Sequence, residues 1–367
     1  MTTSLPDPTI EARQPFSINP YVTRPIPTDP FATRPMRSAA PALAPVRKQD
    51  QRKWLKLALR TGMTLLLLFF LVRSLSWPTL LTTLMHVNQM ALIMGLSIGM
   101  LCIIFSAYTW RSLVLGEGIA TDLSKLINLY FVGLAFSHFL PTSVGGDAIK
   151  AFYVGRDSGN IAGAASSVMM SRIAGFLGML LIALPTLLIW HMQFTSSLIV
   201  GFLLLSLLVV AMIGGAIFFS AHLSTLSTRF LKASWVRHRI FATVLKVGDA
   251  LSAAFRRPQA LGAAILFAML FWVASFLNYY GYAEALGLHL PLYFYVVAVS
   301  FTSIVAFLPI SINGYGVRES AMVYVFSTIH IAPGTSLLLA LLMDAQVLLF
   351  GIVGGFIYFA MSNRTRT

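Results

Sequence analysis

Six charged side chains stand in apolar surroundings where a charge needs a reason. They are Asp147, Lys150, Arg172, Arg318, Glu319 and Asp344. Asp147 and Lys150 follow the phrase F-L-P-T-S-V-G-G at 139–146, and Arg318 and Glu319 follow its near copy F-L-P-I-S-I-N-G at 307–314. Proline ends a helix, and the glycines let the backbone turn tightly and approach a ligand. A helix restarting after each break would present free N–H groups and a partial positive charge. With Lys150 one turn on, and Arg318 able to fork onto an oxyanion, the chemistry fits phosphate recognition. Candidate contacts at the first break are Ser143, Gly145, Gly146, Asp147 and Lys150; at the second they are Ser311, Asn313, Gly314, Gly316, Arg318 and Glu319. A structural reading stands beside this one. Asp147 can cap its helix and pair with Lys150, Glu319 suits a capping position, and Arg172 and Asp344 could form an ordinary ion pair.

The elements that must carry these residues are membrane helices. The 367-residue chain is 57% hydrophobic and 10% charged, with mean hydropathy +0.80. Soluble domains hold about 25% charged residues, so a polytopic all-α membrane protein is expected. Apolar segments fall at 55–75, 90–111, 123–140, 161–190, 194–220, 259–280, 291–310, 317–331 and 334–361. Cys102 is the sole cysteine, which rules out an intrachain disulfide and a cysteine-based metal site. Asn278, Tyr279 and Tyr280 read as an aromatic belt at a membrane interface.

The formal net charge is +14, but eight basic residues lie in the first 53 positions and seven in 229–257, flanking spans. That pattern is topological and does not call for nucleic acid. Residues 1–50 carry ten of the seventeen prolines without apolar periodicity, so 1–53 is expected to be a disordered basic tail, open to a Pro-recognising partner. Residues 54–362 form the membrane domain. Its repeat halves, about 90–190 and 259–361, are joined by span 194–220 and a basic amphipathic stretch, 221–258, suited to the cytoplasmic surface.

Charge parity fixes the expected course of the chain. Arg47, Lys48, Arg52, Lys53 and Lys56 hold the N-terminus inside, and the uncharged 76–89 and 191–197 loops lie outside. Residues 123–160 must then begin and end on the cytoplasmic side, as a re-entrant hairpin with its tip at 140–143. Residues 291–331 form a second hairpin from the opposite face, and the C-terminus with Arg364 and Arg366 is cytoplasmic. About six full spans plus two opposed re-entrant hairpins follow. The constant offset between the two phrases maps the first half onto the second, an inverted repeat of the kind used by alternating-access transporters. It also places Arg172 opposite Ala340, one turn before Asp344.

No Walker loop, metal-spaced His pair or G-x-S-x-G elbow is present. No enzymatic activity, cofactor or metal is therefore expected. Converging carboxylates leave a membrane-embedded transferase with a polyprenyl-phosphate donor as the alternative, and an accessory role in glycolipid or hopanoid export as another.

At these motifs the chain resembles the transmembrane region of lysylphosphatidylglycerol synthases, a flippase-like (AglD-like) membrane family. The family's first motif is roughly P-x-x-x-G-E-x-x-R with a later Arg; Pro141, Gly146, Asp147, Lys150 and Arg172 stand at those places, Asp replacing Glu and Lys replacing Arg. The second, roughly L-P-x-S-x-x-G-x-G-x-R-E, is matched by Leu308, Pro309, Ser311, Gly314, Gly316, Arg318 and Glu319. The resemblance covers about 55–361. It implies an inner-membrane protein linked to lipid translocation, whose partners are membrane lipids of the phospholipid or polyprenyl-phosphate type. The fused aminoacyl transferase found in some members has no counterpart in this sequence, so synthesis of lysyl-lipid is not expected.

Overall fold

Proline and glycine set the ends of the helices. The computed structural model describes residues 88–139, 145–230, 257–308, 311 and 313–364, with isolated Gly62 and Arg73. The expected Pro-rich tail, the 55–75 span, most of the 221–258 amphipathic stretch and the tip at 140–143 lie outside the described residues. All other described positions fall in one unit, Arg52–Thr367.

Nine α-helices run through these residues without a strand. They are α1 (Gln89–Gly116), α2 (Leu123–Phe139), α3 (Gly145–Ser158), α4 (Ile161–Ile189), α5 (Ser196–Phe230), α6 (Pro258–Ala285), α7 (Leu292–Phe307), α8 (Val317–Ser327) and α9 (Pro333–Arg364). Four of them, α1, α4, α6 and α9, are long and apolar enough to cross a membrane. At 28 to 32 residues each, they measure about 42–48 Å at about 1.5 Å per residue. The helices of the two expected hairpins are shorter: α2 and α3 have 17 and 14 residues, α7 and α8 have 16 and 11. None of these reaches the thickness of a hydrocarbon core, about 30 Å.

The two halves correspond element by element. Helix α1 and helix α6 have 28 residues each. Both end the same way: Gly118 and Gly287 take positive φ, +74° and +75°. Ile119 N–H reaches the Val114 carbonyl and Leu288 N–H the Ala283 carbonyl, which satisfies carbonyls that a helix end leaves open. A shorter pair, α2–α3 or α7–α8, follows in each half, and then a long helix, α4 or α9. Helix starts are capped by Asn88 (from Met90 and Ala91 N–H) and Asn160 (from Gly163 N–H), while Pro258 opens α6.

Helix α1 packs most extensively along α6, and α2 packs along α9. Gly354 of α9 lies where any side chain would run into the Phe131 carbonyl of α2. The main core joins α4, α6, α7, α8 and α9 around the fully buried Tyr295, Phe326 and Leu339. Phe294 meets Phe326 edge-on at 5.1 Å. Other faces stay apolar yet uncovered, with Leu204 and Leu207 on α5 and Ile352, Phe356 and Phe359 on α9 exposed. Rows of exposed apolar side chains suit contact with lipid tails.

One expected interfacial feature is internal. Asn278 and Tyr279 are buried, not part of a belt, while Tyr280 is half-buried. Asn278 Nδ2 donates to Gln346 Oε1 at 2.9 Å, because an amide pointing into a helix crossing must find a polar partner.

Candidate functional site

The first break brings α2 and α3 into unusual proximity. Gly146 is buried at the start of α3, and a Cβ there would lie 2.9 Å from the Gly133 carbonyl carbon, closer still to its oxygen and to Ser137 Oγ. Only glycine allows two backbones to meet in this way. The close approach sets Asp147, in the first turn of α3, against the interior. Its two carboxylate oxygens serve two cations. One is 2.7 Å from Lys150 Nζ, and the other accepts from Arg172 Nε of α4. Lys150 is held further by aromatic faces. Its ammonium sits 4.1 Å from the Tyr130 ring centroid and 5.6 Å from that of Trp110. Trp110 is fixed in turn by its indole N–H, which donates to Ser167 Oγ at 3.0 Å.

The second break is a loop of left-handed residues. Asn313, Gly314 and Gly316 have φ of +54°, +80° and +81°, a region that asparagine and glycine tolerate. Gly316 ends the loop, and its N–H donates to Glu319 Oε2, so the buried Glu319 caps α8. Arg318 pairs with Asp344 of α9, and its guanidinium lies 3.7 Å from the other Glu319 oxygen.

Both breaks line one cavity of about 310 Å³. Gly146, Asp147, Lys150 and Arg172 form one wall, and Asn313 and Arg318 belong to the other. The Asp147 and Asp344 side chains are 13% and 15% exposed, against 38% and 28% for Arg172 and Arg318. The carboxylates therefore sit behind the guanidinium groups. The expected capping pair of Asp147 with Lys150 is present. The expected alternative of an Arg172–Asp344 pair is not, since Arg172 goes to Asp147 and Asp344 to Arg318. Gly145 is buried at the start of α3, behind the lining. Ser311, Gly314, Gly316, Glu319 and Asp344 are not among the residues that line the cavity. Ser143 lies outside the described residues.

Among the lining residues that the sequence did not single out are three aromatic ones, Tyr130, His138 and Tyr315. The His138 and Tyr315 rings approach to 6.3 Å between centroids, joining the end of α2 to the second loop. Inside apolar helices, aromatic residues look the same in a core and in a cavity wall. Only Tyr315, between the two glycines of the second motif, carried a usable signal.

Away from the cavity, Lys125 and Asp157 clasp the far ends of α2 and α3 at 2.7 Å. The hydrogen bond from Lys125 is the main reason the Asp157 carboxyl lies below its ordinary range, with Arg156 adding to it.

Residues 54–355 match the family model described as lysylphosphatidylglycerol synthase TM region. No curated protein and no solved structure matches the chain.

Proposed function

The chain belongs to the lysylphosphatidylglycerol synthase transmembrane-region family, and from that premise we propose that it moves a phospholipid or polyprenyl-phosphate headgroup across the inner membrane. The observation that carries this is the shared cavity. Two broken helix pairs, with α4 beside the first, supply Lys150, Arg318 and Arg172 to a single polar space among helices with uncovered apolar faces. Phosphate would enter between the guanidinium groups, each of which can donate to two oxygens at once. The acyl tails would stay in the bilayer. In this reading α2–α3 and α7–α8 are re-entrant hairpins entering from opposite faces. The halves are an inverted repeat, about six spans cross the membrane, and both termini are cytoplasmic. The matched helix lengths and the shortness of the hairpin helices support that arrangement. The protein binds and moves lipid without making or breaking a covalent bond.

Reconstitution into liposomes with fluorescent phospholipids and a labelled polyprenyl phosphate tests the proposal. Wild-type protein is expected to move at least one headgroup, and Arg318→Ala to slow it by about 10-fold or more, the scale of losing a hydrogen bond to a charged group. Equal movement in the variant, or none in the wild type, would sink it.

A further inference from the structure

We infer that the cavity selects a zwitterionic headgroup, one carrying an ammonium beside its phosphate, over a purely anionic one. This rests on the translocation reading and narrows its substrate. Three cations, Lys150, Arg172 and Arg318, meet three carboxylates, Asp147, Glu319 and Asp344, so the cluster is neutral as it stands. Each cation already has a carboxylate partner. An arriving phosphate must draw Arg172 from Asp147, which keeps Lys150, or Arg318 from Asp344, which then loses the cation it pairs with.

The carboxylate left behind decides which lipid is accepted. That carboxylate is Asp344, which is largely shielded from solvent. A buried carboxylate stripped of its partner is strongly destabilising. A headgroup with an amine two carbons from the phosphate brings its own replacement cation. The protein ion pair opens, two new pairs form, and the site stays neutral. A headgroup such as phosphoglycerol fills the cations and leaves a carboxylate unmatched, with one net negative charge in a poorly solvated space.

Two further features fit. Tyr315 lines the cavity, and an aromatic ring attracts an ammonium that comes over its face. The volume of about 310 Å³ sits at the lower end of small-molecule sites, room for a headgroup and none for its tails. Lys150, 10% exposed and held by Asp147 and two rings, is the positioning residue for Asp147, and Arg172 and Arg318 are the groups that exchange partners.

The test uses full-length protein in liposomes with tail-matched fluorescent phosphatidylethanolamine and phosphatidylglycerol. Wild type is expected to move the zwitterion about 10-fold faster or more, the scale set by one unpaired buried charge. An imposed membrane potential is expected to leave the rate for phosphatidylethanolamine unchanged, because nothing charged crosses. In Asp344→Asn the preference is expected to shrink to about 2-fold or less, since no carboxylate is then orphaned when Arg318 turns to the phosphate. The wild-type comparison decides even where that variant folds poorly. Phosphatidylglycerol moved as fast as or faster than phosphatidylethanolamine, in an Arg318-dependent way, overturns the charge-matching inference and leaves translocation standing. Movement of neither lipid overturns the charge-matching inference, and translocation falls with it if labelled polyprenyl phosphate also stays in place.

Discussion

Replacing Gly146 by alanine probes the contact on which the first wall depends. The added methyl would lie 2.9 Å from the Gly133 carbonyl carbon and closer to its oxygen. Backbone cannot rotate aside as a side chain can, so the cost belongs near the upper end of overpacking, about 3 kcal/mol. Alanine returns about 1 kcal/mol through its better helix propensity, leaving a net loss of about 2 kcal/mol. At about 2.1 cal/mol/K of unfolding entropy per residue, a domain of about 300 residues shifts its melting temperature by about 1.5 °C per kcal/mol. Gly146→Ala is therefore expected to melt about 3 °C below wild type in detergent, followed by circular dichroism. Gly262→Ala is the control. It lies in α6 with nothing within 4 Å of a built Cβ, and its melting temperature is expected to stay the same or rise slightly. A Gly146→Ala protein as stable as wild type would refute the close packing of α2 on α3, and with it the placement of Asp147.

Trp110→Phe keeps an aromatic ring against Tyr130 but loses the bond to Ser167. A loss of about 1–2 kcal/mol in stability is expected, read as a lower melting temperature with headgroup movement retained. The Lys125–Asp157 clasp gives a pH signature. The folded carboxyl is shifted down, so its contribution is present above the ordinary carboxylate range and is lost as pH falls through the folded value. Both side chains are 36% exposed, so the effect is expected to stay under about 1 kcal/mol. Melting curves of wild type and Lys125→Ala are expected to differ slightly at neutral pH and to converge as the pH falls below the ordinary carboxylate range.

The charged residues announced themselves in the sequence because a charge inside an apolar segment is costly. The twin proline–glycine breaks marked the helix restarts for the same kind of reason: few residues can end a helix there. Those signals are local. Which cation meets which carboxylate is a property of packing between helices. The repeat offset set Arg172 near Asp344, whereas the turn of α3 against Gly133 brings Asp147 to it first. Asn278 next to two tyrosines imitated an interfacial belt, yet its amide faces Gln346 across a buried crossing. Periodicity gives the face of a helix and says nothing of the helix it meets. His138 and Tyr130 carried no sequence signal, and only their place around the cavity distinguishes them from core.

The central claim is that the space between the two broken helix pairs is the path of the headgroup. His138 and Tyr315 face each other across that junction, 6.3 Å between ring centroids. With Cys102 replaced by alanine, cysteines at both positions can be bridged by a short thiol-cleavable cross-linker, and headgroup movement measured in liposomes before bridging, after it, and after cleavage. The account predicts movement that stops on bridging and returns on cleavage. Undiminished movement through a fully bridged protein would contradict it.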